Sequence, residues 1–140
     1  MPVASYTFPG QYTSLPEIAG IIKSKSLEAG LSETSIDEVE CAVDEACSNV
    51  IEHAYEGEGK GEIFITIDLI SEGIKITITD HGKSFRPDDI ADPDINAPLS
   101  KRKASGLGLF MMKKCMDQVS FDFHDGCNKL TLTKYRMPVN

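Results

Sequence analysis

The spacing of the apolar residues changes once along this chain, and that change decides what the chain can fold into. Ile36, Val39, Val43, Ala46, Cys47, Val50 and Ala54 recur at helical intervals and line one face of a helix. From Glu62 the period is two. Ile63, Ile65, Ile67 and Leu69 alternate with Glu62, Phe64, Thr66 and Asp68, and after Ser71-Glu72-Gly73 the alternation returns in Ile74, Ile76 and Ile78. A long amphipathic helix is therefore followed by a hairpin with one buried face. Val3 to Phe8 alternates weakly, as an edge strand does. Ser14-Leu15-Pro16-Glu17 reads as a capping box opening a helix that runs to about Ala29 and stops at Gly30. A second box, Ser35-Ile36-Asp37-Glu38, opens the longer helix, which ends near Tyr55.

Between His81 and Ser105 the periodicity disappears, and Pro87, Pro93, Pro98 and four aspartates accumulate. A connection of this length reads as a mobile lid. Gly106 to about Met116 reads as a short helix, and Val119 to Phe123 and Lys129 to Tyr135 alternate around the Asp125-Gly126 turn signal. The order is strand, helix, helix, strand, strand, lid, helix, strand, strand. The expected fold class is α/β in the α+β sense, a two-layer sandwich with a mostly antiparallel mixed sheet covered on one face by helices. A doubly wound parallel sheet would need helices between most strands, and here they are missing.

The 140 residues, 41% hydrophobic and 26% charged, suit one domain over residues 1–140. At this length folding buries roughly two-thirds of the unfolded surface, enough for a core without disulfide or metal staples. No apolar run approaches the roughly 20 residues of a membrane span, and Met1 to Gly10 has neither a basic start nor an apolar stretch, so a cytoplasmic protein is expected. Fourteen basic against twenty-two acidic residues give a net charge of -8, a field that disfavours nucleic acid and anionic membrane as partners. Cys41, Cys47, Cys115 and Cys127 form no CxxC pair, and His53, His81 and His124 stand at no familiar zinc spacing from them, so the cysteines are expected to be reduced and mostly buried.

Four features are placed for chemistry. Glu45 and Asn49 lie one turn apart on the longer helix, on the side away from Val39, Val43, Ala46 and Val50, where a solvated face is the plain reading. Asp80 ends the apolar strand and is followed by His81-Gly82, where a glycine permits a sharp turn or the close approach of a ligand. Ser105-Gly106-Leu107-Gly108-Leu109-Phe110 sets two glycines at a helix opening, whose free amides favour phosphate. Lys101, Arg102 and Lys103 precede it, a local cation cluster in an acidic chain. His53, at the edge of the apolar stripe, reads as a packed structural histidine.

Taken in chain order, ExxxN on a helix, DxG at a strand end, a proline-rich lid and GLGL at a helix start resemble the ATP-binding site of the GHKL superfamily over about residues 35–136. With Asp44-Glu45-Ala46, Asn49 and His53-Ala54-Tyr55 in a short chain, the sequence is most similar to the bacterial anti-sigma factor and serine-protein kinase group, and the first strand and helix extend the likeness to nearly the whole chain. The resemblance implies a Bergerat-type ATP-binding fold using ATP and Mg2+. It implies that Asn49 holds the magnesium, that Asp80 accepts a hydrogen bond from the adenine amino group, and that Gly82 lets the base pack close. Gly106 and Gly108 would line the phosphates, within a nucleotide-binding stretch that includes Lys101, Arg102, Lys103, Ser105 and Leu107. Glu45 matches the family's general base. The usual DxGxG stands here as Asp80-His81-Gly82-Lys83-Ser84, with serine in place of the second glycine.

The function so implied is that of an ATP-dependent serine/threonine-protein kinase and anti-sigma factor. It would phosphorylate an anti-sigma factor antagonist, alternatively hold a sigma factor, and form a homodimer. The alternatives are an ATP-binding partner-switching module without phosphotransfer, and an acidic two-layer domain whose glycines merely make turns.

Overall fold

The computed structural model describes residues 3–84, 110, 112–124 and 126–136. Five strands, β1 (Val3–Pro9), β2 (Glu62–Ile70), β3 (Gly73–Asp80), β4 (Gln118–His124) and β5 (Cys127–Tyr135), form one sheet in the order β1-β2-β3-β5-β4. Every pairing among them is antiparallel. Two helices, α1 (Leu15–Glu28) and α2 (Glu33–Asn49), separate β1 from β2, and α2 continues into a π-helical turn over Val50–Ala54. A further helical stretch at 112–115 precedes β4.

The period-two reading explains the sheet row by row. Across the five strands Ala4, Ile67, Ile76, Leu132 and Val119 stand in one register, and Tyr6, Ile65, Ile78, Leu130 and Phe121 in another. These rows face the helices, and Ile63, Ile65 and Ile67 of β2 and Ile74, Ile76 and Ile78 of β3 are essentially inaccessible. The intervening row on the other face is Ser5, Thr66, Thr77, Thr131 and Ser120, all hydroxyl side chains. Apolar rows thus alternate with a polar one, so one face of the sheet is covered and the other meets solvent. Onto the covered face α2 lays Ile36, Val39, Ala42, Val43, Ala46 and Cys47, followed by Val50, Ile51 and Ala54, all buried. From α1 come Ile18 and Ile22.

Alternation also decides where the strand ends point. Asp80 continues Ile74, Ile76 and Ile78, and Asn128 precedes Leu130 and Leu132, so both polar residues lie on the covered face. They are register partners across β3 and β5.

Two helix starts differ from the sequence reading. Ser14 does not cap α1: its backbone is already helical (φ -76, ψ -23), the chain enters through a 3-10 turn at Tyr12–Ser14, and its hydroxyl donates to the Pro9 carbonyl at 2.8 Å. A residue with helical backbone cannot turn its side chain to the first free amides as an extended N-cap does. The helix nevertheless ends as expected, with Gly30 in the left-handed region at φ +82. The cap of α2 is Ser32, three residues ahead of the expected Ser35. Ser32 is extended (φ -69, ψ 162) and accepts from the Ser35 amide at 3.2 Å. Leu31 and Ile36, at the two positions of a hydrophobic staple, are both buried in the core, which fixes the start there. Replacing Ser32 with alanine should cost about 0.5–2 kcal/mol in urea unfolding, whereas Ser35→Ala should stay within about 0.5 kcal/mol of the parent. The reverse order of effects would contradict this cap.

Candidate functional site

The C-terminal end of α2 and the end of β3 meet. After Asp80 the chain turns so tightly against the π-helical turn that a Cβ on Gly82 would lie 2.5 Å from the Ala54 carbonyl oxygen and 2.9 Å from its methyl group. Only glycine fits this contact. The same carbonyl accepts the Lys83 amide at 2.7 Å. The wider π turn closes with the Tyr55 amide on the Val50 carbonyl at 2.9 Å, and extra-residue turns of this kind recur at functional sites. Tyr55 fastens the corner from outside: its hydroxyl donates to the Glu62 carbonyl at 2.5 Å and accepts from the His81 amide at 3.1 Å.

At the centre of the corner is the Asp80 carboxylate, 2% exposed. Its Oδ1 accepts from the Gly82 amide and from Asn128 Nδ2, both at 2.9 Å. Asn128 Nδ2 also donates to the Lys83 carbonyl at 3.0 Å. Among the described residues nothing donates to Oδ2, so one oxygen is tied while the other keeps its lone pairs for a donor from outside. Burial raises the Asp80 pKa, opposed by the Asn128 and Gly82 hydrogen bonds and by His81.

On α2, Asn49 is not on a solvated face. It is 5% exposed, and among the described residues its carboxamide makes no hydrogen bond. The helical-wheel expectation fails because the helix is covered beyond its apolar stripe at this position. Glu45, one turn earlier, is half-buried. Its pKa is raised, first by burial and then by the negative charges of Glu52 and Asp44, with His53 opposing. A carboxyl raised in this way is a better proton acceptor once ionised. Glu52 also accepts from the Tyr12 hydroxyl at 2.9 Å.

Asp80 and Gly82 therefore close on the π-helical turn, which Asn49 directly precedes, with Glu45 one helical turn earlier. Lys101, Arg102, Lys103, Ser105, Gly106, Leu107 and Gly108 lie outside the described residues, as does the expected lid beyond Ser84. Asn128 and Tyr55 were not singled out from the sequence. For Asn128 the signal was present: a polar residue at a core-facing strand position needs a partner.

A family model described as histidine kinase-like ATPase domain matches residues 8–134. The serine-protein kinase RsbW of Listeria monocytogenes serovar 1/2a is 30% identical over 129 residues, which covers 89% of this chain and 80% of that protein. The Bacillus subtilis serine-protein kinase RsbW is 29% identical over 128 residues, 86% of this chain and 79% of that one. In shape, the chain is similar to the crystal structure of the RsbU and RsbW domains of a Mycobacterium tuberculosis protein, with a TM-score of 0.69 at 18% identity. That match covers 99% of this chain, which spans 34% of the longer one. The histidine kinase domain of an Erythrobacter litoralis blue-light activated histidine kinase matches at a TM-score of 0.55 and 15% identity, over 92% of this chain and 62% of that one. Motif order, fold and these likenesses agree, and the chain belongs to the histidine kinase-like ATPase domain family, within the GHKL superfamily.

Proposed function

We propose that this protein is a cytoplasmic, homodimeric, ATP-dependent serine/threonine kinase and anti-sigma factor, which phosphorylates an anti-sigma factor antagonist and alternatively holds a sigma factor. The observation that carries the nucleotide part is the Asp80 carboxylate, tied through Oδ1 and, among the described residues, open at Oδ2. An exocyclic amine of adenine satisfies Oδ2, whereas guanine presents a carbonyl at that place. Gly82 supports this indirectly, by letting the turn close on Ala54 and place its amide on Oδ1. The kinase part rests on Glu45 and on the likeness to proteins named serine-protein kinases.

The described residues include no group of three or more His, Cys, Asp or Glu that could cage a metal ion. The Asn49 carboxamide, which makes no hydrogen bond among the described residues, fits instead an ion held by one protein oxygen, phosphate oxygens and water, the usual habit of magnesium. Bound there, magnesium would offset the charge on the transferred phosphoryl group. Glu45 would accept the proton of the attacking serine or threonine hydroxyl while ADP leaves. A phosphoryl group on the antagonist adds about -2 of charge, which a chain of net charge -8 repels, so the product is released. A sigma factor then competes for the vacated protein.

Asp80→Asn should weaken binding of ATP with magnesium by about 1.5–3 kcal/mol in calorimetry, because the amide turns a donor toward the adenine amine. The same change should raise the thermal midpoint of the nucleotide-free protein at pH 7. A carboxyl whose folded pKa lies above its unfolded value stabilises fully below the unfolded pKa and loses that contribution as pH rises through the folded one. The stabilising effect of Asp80→Asn should accordingly fade in acid. Equal wild-type affinity for GTP and ATP would contradict the role of Asp80.

Glu45→Ala should leave nucleotide affinity nearly intact and slow phosphotransfer by about 10² to 10⁴, whereas Asn49→Ala should remove the magnesium-dependent part of binding. The wild-type rate should rise with pH through a pKa above the ordinary glutamate range, since the base works only when ionised. Radiolabelled phosphotransfer to a purified antagonist reads all three, and a wild-type rate in Glu45→Ala would overturn the base assignment.

A further inference from the structure

Outside the nucleotide corner, the structure brings two thiols from distant parts of the chain into one cluster. Cys41 lies on α2, exposed, three residues after Glu38 and therefore on the same side of the helix. Cys115 ends the helical stretch at 112–115 and is partly exposed. Lys134, only 8% exposed and on the covered face of β5 with Leu130 and Leu132, joins the two elements. Its Nζ donates to Glu38 Oε1 at 3.2 Å and to the Cys115 carbonyl at 2.5 Å. This buried ammonium pins the end of the 112–115 helix beside Glu38, and so brings Cys115 to the side of α2 that carries Cys41. Burial, Cys41 and Glu38 hold the Cys115 thiol above its ordinary pKa, against the opposing charge of Lys134. Cys41 is the more exposed thiol and so the one an oxidant reaches first.

We propose that Cys41 and Cys115 form a reversible oxidation site, closed by hydroperoxide into an intramolecular disulfide that ties the 112–115 helix to α2. Cys41, as thiolate, attacks one oxygen of hydrogen peroxide. The O–O bond breaks and leaves a sulfenic acid and a hydroxide, which takes up the proton that Cys41 released to form its thiolate and becomes water. The Cys115 sulfur then displaces the sulfenic oxygen, which departs as a second water with the Cys115 proton. Two thiols lose two electrons to one peroxide, and the sum is one disulfide and two waters. A dithiol reductant reverses it. Cys41, Glu45 and Asn49 follow one another at four-residue intervals, so the bond would close on the helix stripe that also carries the candidate base and metal ligand.

The test treats the full-length reduced protein with equimolar hydrogen peroxide, alkylates the remaining thiols and maps the peptides by mass spectrometry. The expected product is a Cys41–Cys115 cross-linked peptide that dithiothreitol removes, with Cys127 still alkylated. In Cys115→Ser the expected product is a Cys41 sulfenic acid trapped by dimedone, and Cys115→Ala serves if the serine variant does not fold. Oxidation of Cys41 to sulfinic acid without joining Cys115 in the wild type, or a bond formed between two chains or with Cys127, would overturn the assignment. So would a Cys115 that remains fully alkylated after the peroxide is consumed.

Discussion

The architecture of the site depends on one buried carboxylate. Asp80 ends a strand whose inward residues are otherwise isoleucine, so its side chain enters the covered face of the sheet whether or not a ligand is there. Leaving a charge in such a place is unfavourable, and the raised pKa is the direct sign of it. What makes the position tolerable is the pair of donors on Oδ1, one from the turn at Gly82 and one from Asn128 on the neighbouring strand. The turn can supply its amide only because Gly82 has no Cβ to strike Ala54. One helix terminus, one strand end and one cross-strand neighbour are thereby fixed by a single group. A carboxylate so constrained cannot swing to meet a donor; it presents its free oxygen in one direction, as recognition of a flat heterocycle requires.

The acidic helix beside it has a corresponding logic. Burial raises the proton affinity of Glu45, and the neighbouring carboxylates Glu52 and Asp44 add to the effect. Such an arrangement does little for stability, and it repels a nucleotide's phosphates unless cations intervene. In the proposed reading, the Asn49 carboxamide would give a hard cation a neutral oxygen without further protein charge. The proposed function therefore requires cations from elsewhere to balance the charge of a bound nucleotide.

Most of the fold was legible because its core is written in two clean periods. The isoleucines of β2 and β3 and the α2 stripe needed no tertiary information, and the strand-to-helix order excluded a parallel sheet. The helix starts were less legible. Ser14, Ser32 and Ser35 are chemically alike, and which of them caps a helix depends on backbone angles set by Leu31, Ile36 and the 3-10 turn at Tyr12–Ser14. Glu45, Asn49, Asp80 and Gly82 were found through motif spacing rather than local physics. A helical wheel alone assigned Asn49 to solvent, because its burial comes from packing beyond the helix's own apolar stripe, which a window of the helix does not contain. Asn128 and Tyr55 act through backbone and carboxylate contacts across 48 and 26 positions, respectively, which no single-sequence window spans.

The central claim is that this corner receives the base of an adenine nucleotide. A crystal structure of the protein with magnesium and a non-hydrolysable ATP analogue tests it most directly. The account predicts the adenine amino group at about 2.7–3.2 Å from Asp80 Oδ2, with Oδ1 still held by Gly82 and Asn128. A nucleotide bound with its base away from Asp80, or an Asp80 side chain turned out of the corner to meet it, would contradict the account.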